Sequence, residues 1–174
     1  GEFAPANYKA DSINAQKTGV FVNETEARMR ELAGRFQLNA LQLHGEEPPD
    51  LCRKLRRDFT LIKVFRIRRP QDFKQTAAYT GVADYFLFDT AGKLLGGNGT
   101  KFNWELLSHY CDTVPFFLSG GITPDDGKWI KQLTHKKLIG VDINSGFETA
   151  PGMKEMGQVQ QFILEMRDES RPFK

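Results

Sequence analysis

Asp89 stands at the C-terminal end of an apolar run, Asp84-Tyr-Phe-Leu-Phe-Asp89-Thr90. A carboxylic acid in that position can hand a proton to a bound ligand or take one from it. In proteins built of parallel strands and crossover helices, reacting groups gather at that end of the sheet. The same residue type also caps turns, and the segment by itself leaves both roles open. His44 ends a second run, Leu41-Gln-Leu-His-Gly45. An imidazole there either bonds and exchanges protons with a ligand near neutral pH, or is held by backbone groups at a strand end. Asp142 closes Leu138-Ile-Gly-Val-Asp142, where it can orient ligand hydroxyls or brace a loop.

Three glycine clusters follow late strand-like runs: Gly96-Gly97-Asn98-Gly99, Ser119-Gly120-Gly121 and Asn144-Ser145-Gly146. Glycine lets backbone N–H groups approach an anion closely, and successive amides in a turn form a concave nest. Each cluster alone is equally a tight turn. Two in succession, after the last two strands, fit the place where β/α barrels bind phosphate.

These groups need a frame, and the sequence supplies a regular one. Apolar runs at 18–22, 40–43, 61–67, 84–88, 115–119 and 138–142 alternate with amphipathic stretches at 24–36, 48–58, 71–79, 104–110, 124–133 and 154–167. Asn23 is expected to cap the first helix, and Pro48-Pro49 and Thr123-Pro124 open later ones. In the last helix Val159, Phe162, Ile163 and Met166 fall at helical spacing and are expected to face the sheet. Phe86, Phe88, Phe116 and Phe117 are expected in the core, and His109 and His135 at the surface. Six strand–helix units without a break in composition predict one domain over 1–174. Such alternation demands a parallel sheet, open and doubly wound or closed as a barrel. Periodicity does not separate the two; candidate groups after several strands favour the barrel, because an open sheet concentrates its site at one switch point. An eight-unit barrel normally needs at least about 200 residues, more than the 174 here.

Composition narrows the function. With 40% hydrophobic and 26% charged residues the chain reads as globular. A net charge of +2, with no basic run interleaved with aromatics, argues against nucleic acid. The cluster Arg53, Lys54, Arg56 and Arg57 lies on an expected helix and reads as a solvated face. No run approaches the roughly 20 apolar residues that span a bilayer, and the first residues lack a secretory h-region. Cys52 and Cys111, both on helical or helix-terminal segments, imply neither a disulfide framework nor a metal site, which suits a reducing cytoplasm.

Six segments in register go further: Gly19-Val-Phe-Val-Asn23, Leu38-Asn-Ala-Leu-Gln-Leu-His-Gly-Glu46, Asp89-Thr90, Gly96-Gly-Asn-Gly-Thr-Lys-Phe-Asn-Trp104, Leu118-Ser-Gly-Gly121, and Val141-Asp-Ile-Asn-Ser-Gly-Phe-Glu148 with Pro151-Gly-Met-Lys154. Together they resemble the phosphoribosylanthranilate isomerase family of tryptophan biosynthesis, over nearly everything after about residue 17. The resemblance implies a (β/α)8 TIM barrel of the α/β class, of which this chain matches units three to eight. It implies an Amadori rearrangement of an aminoaldose to an aminoketose, with no metal or organic cofactor and a phosphosugar as the small-molecule partner. Asp89 matches the general acid that protonates the furanose ring oxygen; to hold its proton it is expected to be buried against apolar neighbours such as Phe88. His44 and Asp142 match polar substrate-binding positions. Gly120, Gly121, Asn144, Ser145 and Gly146 match the phosphate cradle, with Asn144-Ser145 where the family usually has two serines.

Two family motifs have no counterpart: an early strand ending in Lys-(Ile/Val)-Cys-Gly, whose cysteine is the general base, and a loop arginine that holds the anthranilate carboxylate. The opening Gly1-Glu-Phe-Ala-Pro-Ala-Asn-Tyr resembles the segment before the family's third strand. The expectation is therefore a barrel short of two units, with open edges prone to self-association. Loss of a general base commonly costs about 10²–10⁴ in rate, so the chain alone is expected to be slow or inert. A non-catalytic phosphosugar-binding or structural fragment is the alternative. An indole-glycerol-phosphate synthase relative is disfavoured, because no strand-end lysine and glutamate set is present.

Overall fold

The structure is a computed structural model and describes residues 15–89 and 104–167. Thr90, the cluster at Gly96–Gly99 with its following segment to Asn103, and the opening Gly1–Tyr8 lie outside the described residues. Six parallel strands form one sheet: β1 (Thr18–Phe21), β2 (Ala40–Leu43), β3 (Thr60–Arg66), β4 (Tyr85–Asp89), β5 (Phe116–Ser119) and β6 (Leu138–Val141). Helices α1 (Glu26–Phe36), α2 (Pro49–Leu55), α3 (Gly127–Ile130) and α4 (Met156–Arg167) connect or follow them, with 3₁₀ segments at Pro70–Tyr79 and Trp104–His109.

Strand order in the sheet is chain order throughout. That decides what periodicity left open. A doubly wound sheet reverses its order at a switch point; right-handed crossovers that always step the same way put every helix on one face and curl the sheet as in a barrel.

Alternation along the strands divides the side chains. On the helix side Phe65, Phe86, Phe88, Phe116 and Leu118 meet Phe73, Tyr110, Ile130 and Phe162, and Leu41, Leu43 and Leu61 meet Met29, Cys52 and Leu55. On the inner side Ile62, Val64 and Leu87 pack with Tyr85 and Phe117. Phe117 is therefore only half-buried, whereas Phe86, Phe88 and Phe116 are fully enclosed. Phe88 also points away from the Asp89 side chain, so it cannot enclose that carboxyl as expected; the pleat places Leu87 and Tyr85 on the Asp89 face instead.

Several element ends differ from expectation for local reasons. Asn23 does not cap α1: its backbone is left-handed at φ 53°, and its Oδ1 accepts from the Glu46 N–H at 2.6 Å. Thr25 is the cap, accepting from Arg28 N–H. Pro70–Tyr79 is 3₁₀ because Phe73, Thr76 and Tyr79 recur every third residue, and that winding stacks them on one buried face. The last helix starts at Met156, since Met153–Lys154 (β8) turns back on Glu148–Ala150 (β7) as a hairpin. In α4 Val159, Phe162 and Met166 face the core, but Ile163 is 38% exposed. His109 is exposed, yet His135 is half-buried, packing on Phe116 and Tyr110 with its Nδ1 accepting from Lys137 N–H.

Candidate active site

The C-terminal ends of the strands surround a cavity of about 310 Å³. Its lining gathers every site residue expected from the sequence: His44 beyond β2, Asp89 ending β4, Gly120 and Gly121 after β5, and Asp142, Asn144, Ser145 and Gly146 after β6. Val20, Gln42, Ser119 and Ile122 complete it. Parallel register makes this convergence unavoidable. Asp89 lies level with Ser119 in β5, and the chain beyond β2 continues the ladder as His44 N–H donates to Phe21 O at 2.8 Å.

His44 and Asp89 face each other. His44 Nε2 is buried and lies 3.5 Å from Asp89 Oδ2, without hydrogen-bond geometry to any partner among the described residues. A buried ring nitrogen without a bond is costly unless a ligand supplies one. Asp142 is braced instead: Ser119 Oγ donates to its Oδ2 at 2.9 Å, and its own N–H donates to Leu118 O.

The two glycine turns are built against each other. Gly120 and Gly121 take φ of 103° and 65°, a left-handed backbone that a side chain would strain. At Gly146 a Cβ would fall inside the Ile122 carbonyl, so only glycine lets the turn after β6 close on the turn after β5. The result brings the turns at Gly120–Gly121 and Asn144–Gly146 together in the lining of the cavity that also holds His44 and Asp89.

Sequence reasoning overlooked the support beneath His44. Lys63 projects to the helix side of β3, its side chain only 3% exposed, and Nζ donates to Glu47 Oε2 at 3.1 Å, Gly45 O at 2.7 Å and Leu43 O at 3.2 Å. Glu47 in turn accepts from Asn23 and Gly45 N–H groups. Burial works to raise the Glu47 carboxyl, but the backbone N–H groups and the Lys63 ammonium outweigh it and hold it below the ordinary range. The pair thus clamps the main chain on both sides of His44. The signal was a single lysine inside an otherwise apolar strand, which must find a partner to be buried. Gln42, a polar residue between Leu41 and Leu43, is a comparable signal.

Neither cysteine reaches the cavity. Cys52 is buried on α2 between helix and sheet, where burial pushes its thiol up to about 11, and Cys111 is exposed beyond the 3₁₀ segment. Among the described residues no group of His, Cys, Asp and Glu is placed to hold a metal ion, and no helix is long and apolar enough to cross a membrane.

The family model described as N-(5'phosphoribosyl)anthranilate (PRA) isomerase matches residues 4–165. The N-(5'-phosphoribosyl)anthranilate isomerase of Parabacteroides distasonis is 42% identical over 158 residues, covering 90% of this chain and 72% of its own. That of Phocaeicola vulgatus is 44% identical over 152 residues, covering 87% and 74%. Phosphoribosyl anthranilate isomerase from Thermotoga maritima superposes with a TM-score of 0.80 at 32% identity, over 91% of this chain and 77% of that one. A phosphoribosyl anthranilate isomerase solved in complex with reduced 1-(o-carboxyphenylamino)-1-deoxyribulose 5-phosphate gives 0.77 at 30% identity, over 91% and 75%.

Proposed function

We propose how this site works from one premise: the chain belongs to the N-(5'-phosphoribosyl)anthranilate isomerase family. It is an isomerase of tryptophan biosynthesis, converting the aminoaldose N-(5-phosphoribosyl)anthranilate to an aminoketose. Opening the furanose ring needs a proton at the ring oxygen as the C1–O bond breaks, and Asp89 is the acid that delivers it. His44, facing Asp89 with an unbonded ring nitrogen, bonds the sugar beside the breaking bond. Asp142, fixed by Ser119, accepts from ligand hydroxyls. The phosphoryl group sits on the amides of Gly120, Gly121 and residues 144–146. Removal of the C2 proton falls to neither Cys52 nor Cys111, because neither lines the cavity.

The observation that carries the reading is the convergence of His44, Asp89, Asp142 and two glycine turns on one cavity at one end of a parallel sheet. The same proposal takes in a single β/α-barrel domain over 1–174 that lacks the family's first two units, a phosphosugar partner, and a cytoplasmic setting that keeps both thiols reduced. Among the described residues β1 and β6 each have one neighbour in the sheet, and self-association through such edges belongs to the same proposal.

Fluorescence decay of freshly prepared phosphoribosylanthranilate tests the acid. Asp89→Asn is expected to lower turnover by about 10²–10⁴ while leaving binding of the reduced product analogue in place. Turnover indifferent to the substitution removes Asp89 from the mechanism. Analogue binding with no turnover by the unsubstituted chain supports the non-catalytic alternative.

A further inference from the structure

We propose that Lys154 is a positioning residue of the phosphate subsite, holding Asn144 so that its amide N–H groups face the cavity. This rests on the reading that the glycine turns take the phosphoryl group. Lys154 Nζ lies 2.6 Å from Asn144 Oδ1 and 2.6 Å from Glu148 Oε1. An ammonium has donors only, so the asparagine atom it meets must be the oxygen. The amide's two N–H donors are then what Asn144 has left to offer, and Asn144 lines the cavity beside Ser145 and Gly146.

The hairpin of β7 and β8 explains how a residue ten positions downstream arrives there. Glu148 and Lys154 are register partners across it, and the turn between them passes through Gly152 at φ 78°. Glu148 completes the device. It neutralises Lys154, so the lysine acts through direction and adds little field of its own; the same bond holds the Glu148 carboxyl below its ordinary range. Direction matters here because the cavity lining already includes the carboxylates Asp89 and Asp142 and, among the described residues, no lysine or arginine. An asparagine turned the other way would add a carbonyl oxygen to a rim that must accept a dianion.

Titration of the full chain with inorganic phosphate, followed by calorimetry and by ³¹P NMR, tests the idea without requiring turnover. Lys154→Met is expected to weaken phosphate binding about tenfold, the worth of one hydrogen bond to a charged group. Lys154→Arg, which keeps a donor for Asn144, restores it. Asn144→Ala weakens binding to the same degree, and the Asn144→Ala/Lys154→Met double variant is no weaker than either single one, since both remove one interaction. Additive losses, or unchanged binding by Lys154→Met, overturn the assignment while leaving the phosphate site intact. If the unsubstituted chain takes up no phosphate, the reading of the glycine turns falls and this inference with it.

Discussion

The Lys63–Glu47 pair offers the sharpest test of how the site is held. Both side chains are almost fully enclosed, 3% and 1% exposed, and the ammonium touches the carboxylate and the carbonyls of Leu43 and Gly45. Lys63→Met removes the cation and leaves Glu47 charged in a dry site, which costs about 3–5 kcal/mol. That is a large share of the roughly 5–15 kcal/mol that holds a domain folded. The pH dependence follows from the direction of the Glu47 shift. In the native protein the Glu47 carboxyl lies below its ordinary value, so its stabilisation is present above the unfolded pKa and is lost as pH falls through the folded one. In Lys63→Met burial acts on Glu47 without the opposing ammonium, its carboxyl rises, and protonation relieves the unpaired charge. The deficit relative to the native protein is therefore greatest at about pH 7 and shrinks towards about pH 4.5. Lys63→Met/Glu47→Gln, with no buried charge, recovers about 2 kcal/mol of the loss at neutral pH. Urea unfolding at both pH values measures this. A deficit below about 1 kcal/mol at pH 7, or one equally large in acid, refutes the reasoning.

Two further outcomes follow from the same geometry. Gly146→Ala forces its Cβ into the Ile122 carbonyl, so the two turns must part; phosphate-bearing ligands are expected to bind at least about tenfold more weakly by calorimetry, and equal affinity removes the close approach from the argument. In native protein at mildly alkaline pH, a thiol reagent is expected to label Cys111 at once and Cys52 only at the rate of unfolding, because burial pushes the Cys52 thiol up to about 11; rapid labelling of both contradicts that enclosure.

The strand ends were legible because alternation and punctuation agree there: an apolar run, then an acid, a histidine or a glycine pair. His44, Asp89, Asp142 and both turns needed no tertiary information to be singled out. What escaped depends on partners distant in sequence. Asn23 and Thr25 are both good caps, and only the meeting of Asn23 with Glu46 shows which one is occupied elsewhere. Ile163 fits the helical stripe as well as Phe162 does, but the arc that α4 presents to the core is narrower than its apolar face. Pro151-Gly152 announced a turn, yet nothing local says that the chain folds back to pair Glu148 with Lys154 before the helix starts. The roles of Lys63 and Glu47 needed the knowledge that the helix side of β3 is closed to water.

Pairing in chain order has a bearing on synthesis as well as on shape. Thr18 meets Ala40, Ala40 meets Thr60 and Phe86 meets Phe116, so the ladders of the six-stranded sheet join residues only some tens of positions apart. Closing loops of that length is entropically mild, since each doubling of length adds only about 0.6 kcal/mol. As the polypeptide leaves the ribosome, each new strand finds its template already laid down, and the sheet can lengthen from the N-terminal side without waiting for a distant segment to be made.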